Sequence, residues 1–263
     1  MIQIRNLWKK FGKLQVMAGM NLDIQDGETL VILGPSGIGK SVLLKHIIGL
    51  LKPDEGSIDV NGERVTDLSG PKLLKAVQHM GMLFQGSALF DSMNIEENTG
   101  FSLDQHGDSQ TGKKYSPAEI KDRVDYALKV VGLEGTQKKM PSELSGGMRK
   151  RAALARMIVY RPKIVLYDEP TTGLDPIIAM QINELIVKTK EELKATSVVV
   201  THDMFSALYV GDRLALIRDG KIAHIDEPEP FLKIDDPMIK FLYRSISQDP
   251  RTLKEKSPHA RSD

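Results

Sequence analysis

Apolar and polar positions along the chain follow two rhythms, one of strands and one of helices. Through the first 33 residues, strand-like runs are separated by turn signals such as Gly19 and Asp26-Gly27. Thr29-Leu30-Val31-Ile32-Leu33 reads as a buried strand, and Ser41 to Ile48 reads as a helix. Lys52-Pro53-Asp54-Glu55-Gly56 predicts a turn into the short strand Ser57-Ile58-Asp59-Val60, and Asn61-Gly62 predicts a tight hairpin after it. Met80-Gly81-Met82-Leu83-Phe84 predicts a further strand that ends at Gln85.

From about Gly86 to Ala155 the strand pattern gives way to a helical one. Ile120, Val124, Ala127, Leu128 and Val131 recur at 3–4 spacing, which predicts a helical subdomain inserted at about 86–155. Within it, Gly100 to Pro117 is polar and rich in Gly, Ser and Gln, and predicts a surface loop. Sheet character returns at Ile164-Val165-Leu166-Tyr167, Ser197-Val198-Val199-Val200 and Leu214-Ala215-Leu216-Ile217. Continuous apolar runs alternating with helices predict a parallel sheet covered on both faces. These elements divide the chain into a domain over 1–230 and an extension over 231–263. In the extension, Phe231-Leu232, Met238-Ile239 and Phe241-Leu242 are expected to cover one face of short helices, before a polar tail from about Gln248. With no internal repeat, the chain carries one such unit.

Composition narrows the picture. The 263 residues suffice for one large α/β domain or two small ones, and 41% apolar residues build a normal core. Lys and Arg number 36 against 35 Asp and Glu, a net charge of +1, so no field of the kind that holds nucleic acid is expected. The absence of cysteine excludes disulfides, thiol catalysis and cysteine-ligated metals. No apolar stretch approaches the ~18–20 residues that cross a bilayer. Met1-Ile2-Gln3-Ile4-Arg5-Asn6-Leu7 looks like a strand rather than a signal peptide. A cytosolic chain whose membrane connection runs through a partner is expected.

Three segments carry chemistry. Gly34-Pro35-Ser36-Gly37-Ile38-Gly39-Lys40-Ser41 is a complete G-x-x-x-x-G-K-[ST] phosphate loop between a strand and a helix. Its glycines allow a tight turn that aims successive N–H groups inward, Lys40 reaches the β- and γ-phosphates, and the Ser41 hydroxyl is suited to Mg²⁺. The phosphates then sit at a helix N-terminus, where the dipole favours negative charge. Second, the strand Ile164–Tyr167 ends in Asp168-Glu169, at the sheet edge where the loop also lies. Asp168 is suited to hold Mg²⁺ through water and Glu169 to polarise an attacking water; alternatively the pair simply opens a loop. Third, Leu144-Ser145-Gly146-Gly147-Met148 precedes a helix over Arg149 to Arg156. It is either a Ser cap with two glycines or a second anion site whose N–H groups no side chain blocks.

Together these motifs resemble the ATP-binding cassette (ABC) transporter ATPases, from about Ile2 to Ile225. The order GPSGIGKS, Gln85, LSGG, IVLYDE, Thr172-Gly173-Leu174-Asp175 and His202 matches that family throughout. The resemblance implies a P-loop NTPase core of α/β class, with a mixed or parallel sheet, N-terminal antiparallel strands and the inserted helical subdomain. It implies ATP and Mg²⁺ as ligands, Phe11 stacked on adenine, and Gln85 linking the γ-phosphate and Mg²⁺ to a transmembrane partner. Asp175 would lie in a loop joining two subunits, and His202 would contact the γ-phosphate; in isolation His202 reads as an ordinary strand-end histidine. Two copies are expected to pack head to tail, with Ser145, Gly146 and Gly147 of one closing over ATP held by the other. Met148 stands where most relatives carry Gln, and Thr172 where Ser is commoner.

Pro141 to Met148 with Arg151 to Arg156, and Leu83 to Met93, resemble the ATPase of Mla-type (Mce-associated) phospholipid transporters. That implies a peripheral ATPase on the cytoplasmic side of the inner membrane. Its partners would be an integral-membrane permease, an Mce-domain lipid-binding protein and a small regulatory subunit, with no nucleic acid. Ala88 to Met93 would line the groove that receives the permease. Importers of other cargo, such as polar amino acids, share the same ATPase motifs. A soluble ABC protein of ribosomes or DNA repair would usually carry two cassettes or a long coiled-coil insertion. Intact Lys40, Asp168, Glu169 and His202 argue against a catalytically dead subunit. The tail after Phe231 either holds a neighbouring subunit or is a frayed end.

Overall fold

The computed structural model describes residues 1–107 and 113–247, with backbone alone for 245–247. It begins with a hairpin, β1 (Ile2–Phe11) and β2 (Leu14–Ile24), followed by β3 (Thr29–Leu33) and α1 (Lys40–Ile47). Next come β4 (Glu55–Val60), β5 (Glu63–Arg64), α2 (Gly70–Val77) and β6 (Met80–Leu83). Three helices follow: α3 (Ile95–His106), α4 (Pro117–Val130) and α5 (Gly146–Ile158). Then β7 (Ile164–Asp168), α6 (Pro176–Leu193), β8 (Thr196–Thr201), α7 (Met204–Val210), β9 (Arg213–Arg218) and β10 (Lys221–Asp226) complete a sheet, and α8 (Pro228–Lys233) and α9 (Pro237–Ser247) close the described chain.

Strands β2-β1-β4-β5 form an antiparallel sheet, and β10-β9-β3-β8-β7-β6 form a larger one. In the larger sheet β9, β3, β8, β7 and β6 run parallel, and β10 is added antiparallel at one edge. The sheet is therefore mixed. Its central strands read as unbroken apolar runs because each lies between two cores. Val31 and Leu33 of β3 and Val165 and Tyr167 of β7 pack with α3 to α9 on one face. Leu30, Ile32, Ile164 and Leu166 pack on the other face with α1 and the antiparallel sheet. Burial on that scale contributes about 1.5–3 kcal/mol per Val, Leu or Ile side chain. The Asn61-Gly62 hairpin forms as expected: both residues have positive φ, 52° and 84°, and Val60 pairs with Glu63.

Two expectations need correction. Gly100 to His106 is helical, the second half of α3, and not a surface loop; residues 108–112 lie outside the described residues. Asn94 and Glu97 form a capping box that starts α3, and the low-propensity Gly100 lets α4 approach. A Cβ on Gly100 would stand 3.1 Å from Ile120 and 3.3 Å from Val124. The helices of the expected subdomain at about 86–155 are α3, α4 and α5, between Ile95 and Ile158. Finally, Phe241 does not share the buried face of Ile239 and Leu242 but stands 55% exposed. The helix α2 and the strand β10 are not among the expected elements. The tail from Gln248 lies outside the described residues.

Candidate active site

Parallel register brings the chemistry-bearing segments to one edge. Leu33 pairs with Thr201, Asp168 with Val200, and Leu83 with Tyr167, so the C-terminal ends of β3, β8, β7 and β6 are level. The phosphate loop leaves β3, His202 follows β8, Asp168-Glu169 ends β7 and Gln85 follows β6. All four chain segments thus leave neighbouring strands toward the same crevice, the usual ligand position in an open α/β sheet.

The crevice is a pocket of about 320 Å³ lined by Ser36, Gly37, Gly39, Lys40 and Ser41 of the loop, together with Gln85, Glu169, Thr172 and His202. Phe11, Leu14 and Val16 of the first hairpin form its apolar lip. Phe11 is exposed there, with Lys9 Nζ 5.6 Å from its ring centroid. Gly39 has φ 107°, and a Cβ on it would meet Val16 Cγ1 at 2.4 Å, so only glycine fits. Ile38 packs beneath the loop against the second core.

Buried Lys40 donates to the carbonyls of Gly34 (2.6 Å) and Pro35 (3.0 Å) and pairs with Glu169 Oε1 at 3.2 Å. Ser41 Oγ donates to Asp168 Oδ1 at 2.6 Å. Burial pushes the Asp168 carboxyl above the usual carboxylate range; the Ser41 bond opposes this rise and the neighbouring Glu169 adds to it. Glu169 sits in a left-handed conformation, φ 47°, rare for a residue with a side chain and typical of strained functional positions. Its Oε2 accepts from Thr172 Oγ1 (2.8 Å) and meets His202 Nδ1 (2.9 Å). Thr172 is thus a site residue that sequence reasoning quoted only as a departure from a pattern.

The α1 N-terminus fits a phosphate. Helices α3, α4, α5, α6 and α7 each begin with a side chain that accepts from their first-turn N–H groups. Helix α1 has no such cap and no acidic residue in its first turn, which leaves its donors for an anion. Ser41 and Gln85 at the pocket, and Asp168 bonded to Ser41, supply the hard oxygen donors that suit Mg²⁺. Among the described residues, no group of three or more His, Cys, Asp or Glu could hold a metal ion.

Ser145, Gly146, Gly147 and Asp175 stand outside this pocket. Ser145 caps α5 by accepting from Met148 N at 3.3 Å, and Asp175 caps α6 by accepting from Ile177 and Ile178 N–H at 3.1 and 3.0 Å. The two helix starts are packed together: a Cβ on Gly147 would meet Ile178 Cγ2 at 2.5 Å. Ser145 and Gly146 are exposed, presenting the glycine-rich start of α5 to the surroundings.

Residues 17–172 match the family model "ABC transporter". The chain is 42% identical to a probable ribonucleotide transport ATP-binding protein, mkl, of Mycobacterium leprae, over 91% of this chain and 67% of that one. It is 38% identical to the intermembrane phospholipid transport system ATP-binding protein MlaF of Haemophilus influenzae, over 97% and 94%. Among solved structures it resembles the dimeric, post-hydrolysis ATP-binding cassette MJ0796 bound to ADP and Pi, at a TM-score of 0.78 and 33% identity, over 86% and 98%.

Proposed function

The chain belongs to the ABC transporter family, and from that premise we propose that this ATP-hydrolysing cassette drives phospholipid transport between membranes of the cell envelope, as a head-to-tail dimer docked on an integral-membrane permease. One observation carries the dimer: a single chain gathers the phosphate loop, Glu169, Gln85 and His202 at one pocket, with Asp168 bonded to Ser41 behind them, and leaves the SGG start of α5 outside it. The dimeric cassette at TM-score 0.78 supports that reading.

In this mechanism the N–H groups of Gly37 to Ser41 and the Lys40 ammonium hold the β- and γ-phosphates of ATP, with adenine on Phe11. Lys40 leaves the Gly34 and Pro35 carbonyls and Glu169 to do so, which frees Glu169 Oε1 for the attacking water. Thr172 and His202 keep Glu169 aimed, and His202 also faces the γ-phosphate. Ser41, Asp168 and Gln85 would hold Mg²⁺, which when bound draws charge from the phosphates. Ser145, Gly146 and Gly147 of the second copy complete the site, and Asp175 lies at the joint between copies. Hydrolysis opens the dimer, which is the mechanical output.

The domain over 1–230 carries this cassette, with about 86–155 as its helical part and 231–263 as a C-terminal extension. The groove beside Ser92, Met93 and Phe101 receives the permease. Attachment to the cytoplasmic face runs through that permease; no described helix is long and apolar enough to cross a membrane. An Mce-domain protein and a small regulator complete the assembly. The phospholipid cargo rests on similarity to MlaF and on the sequence features around Met148 and Ala88 to Met93. The relative described as a ribonucleotide transport protein keeps a polar-cargo importer as the second reading. Purification of the tagged chain from its native membranes, followed by mass spectrometry of bound proteins and lipids, separates the two. A permease that co-purifies with phospholipid supports the proposal; a permease paired with a binding protein for polar solutes overturns it.

A further inference from the structure

The segment between Gln85 and the outer groove is strained and held from two sides. Ser87 and Ala88, neither a glycine, both take left-handed backbone, φ 64° and 51°. Their own turn bonds are short-range: Ser87 N–H to Phe84 O at 3.0 Å and Ala88 N–H to Gly86 O at 2.8 Å. On one side, Asn98 of α3 exchanges hydrogen bonds with Phe90, at 2.8 and 3.0 Å. On the other side, two cations of α5 reach its backbone. Lys150 Nζ donates to the Gln85 carbonyl, and Arg156 Nη1 donates to the Ala88 carbonyl at 2.8 Å. The Arg156 guanidinium also lies 5.2 Å from the Phe90 ring centroid.

Lys150 is an unlikely residue for packing alone. Only 5% exposed, it bears a desolvation penalty that lowers its pKa, and the nearby Asp168 and Glu169 carboxylates oppose that fall. A methionine there would fill similar volume with no charge to bury. What the ammonium adds is a charge-assisted bond, roughly twice as strong as a neutral one, to the backbone of Gln85 itself. Arg156, six residues (about 9 Å) further along α5, repeats the arrangement three residues beyond.

We infer that Lys150 and Arg156 are positioning residues, two cations of α5 that clamp the strained Gln85–Phe90 segment and keep Gln85 aimed at the phosphate pocket. The bonds are long-range in sequence and act on carbonyls, so they fix the backbone whatever the side chains of the segment do. Because Lys150 lies one turn from Gly147, the clamp also ties the Gln85 end of the pocket to the start of α5. The inference rests on the proposed role of Gln85.

The test is amide hydrogen exchange in the nucleotide-free full chain, paired with steady-state ATPase kinetics. Lys150→Met is expected to speed exchange at Ser87 and Ala88 by about tenfold or more while amides of β3 and β7 stay protected. It is expected to cut kcat about tenfold with KM for Mg-ATP within about twofold. Lys150→Gln, which keeps a donor, restores part of both; Arg156→Gln shows the local exchange change centred on Ala88 and covers the case in which Lys150→Met does not fold. Unchanged exchange at Ser87 and Ala88, or faster exchange across the whole chain, overturns the clamp. Gln85→Ala with wild-type kcat would instead remove the phosphate-facing role of Gln85, and the exchange result would still decide the clamp.

Discussion

Two helix starts in this chain look alike in sequence and differ in what surrounds them. Helix α1 follows a glycine-rich segment and α5 begins with two glycines, and both carry first-turn N–H groups suited to an anion. At α1 the cap is missing, a buried lysine stands ready, Glu169, His202 and Gln85 share the pocket, and Asp168 is bonded to Ser41. At α5 a serine caps the helix, Gly146 is exposed, and Gly147 is buried against Ile178 of α6. A helix N-terminus becomes a reaction site only when neighbouring strands deliver the other groups to it. In the proposed dimer the second start is the lid of a site that another copy holds.

That comparison makes graded predictions, the largest first. Glu169→Gln keeps the Thr172 and His202 contacts but loses the base, so turnover is expected to fall about 100- to 1000-fold, while ATP binding persists and a dimer accumulates on size exclusion. Next, Lys40→Ala should weaken ATP binding about 100-fold by titration calorimetry, because the pocket loses its one buried cation at the phosphates. Gly147→Ala at the other start should leave binding to the single chain within about twofold and lower turnover about tenfold. It should also cost about 1–3 kcal/mol of stability through the Ile178 contact, read as a lower melting temperature. If Gly147→Ala weakened ATP binding as much as Lys40→Ala, the two starts would belong to one pocket and the distinction would fail.

The smallest effect concerns a third start, α9, closed by its own carboxylate. Burial opposes ionisation of Asp236, but bonds from Arg218, the Met238 N–H, His224 and the Ile239 N–H outweigh it and hold the carboxyl at about 2. A depressed carboxylate binds its proton less readily folded than unfolded, so its stabilisation is full above the ordinary carboxylate value and is lost as pH falls. Far-ultraviolet circular dichroism should therefore show helix loss between about pH 4 and about pH 2, and Asp236→Asn should abolish that step.

Much of the site was legible because its groups are strand-end residues. Asp168-Glu169, His202 and the loop each follow an apolar run, and a parallel sheet brings such ends together without further information. The partners of these groups were not legible. Thr172 bonding Glu169, and Lys150 reaching back 65 residues to Gln85, depend on how loops and helices fold over the edge. Helix α3 escaped the periodicity because its Asn98-Thr99-Gly100 stretch has low intrinsic propensity. Burial decides it instead: Asn98 and Thr99 are fully buried with their side chains hydrogen-bonded. The exposed Phe241 belongs to the same class, since only tertiary packing says which face of α9 is covered.

The central claim, that each chain holds half of every site, is tested most directly by mixing two inactive variants. Lys40→Ala spoils the loop and spares the α5 start; Ser145→Arg spoils the α5 start and spares the loop. In a head-to-tail dimer of the two, one site combines both defects and the other is intact. An equimolar mixture should then recover ATPase activity to about a quarter of wild type, since about half the dimers are mixed and each has one good site. Activity no greater than the sum of the two variants alone, or full turnover by the Ser145→Arg chain by itself, would contradict the shared site.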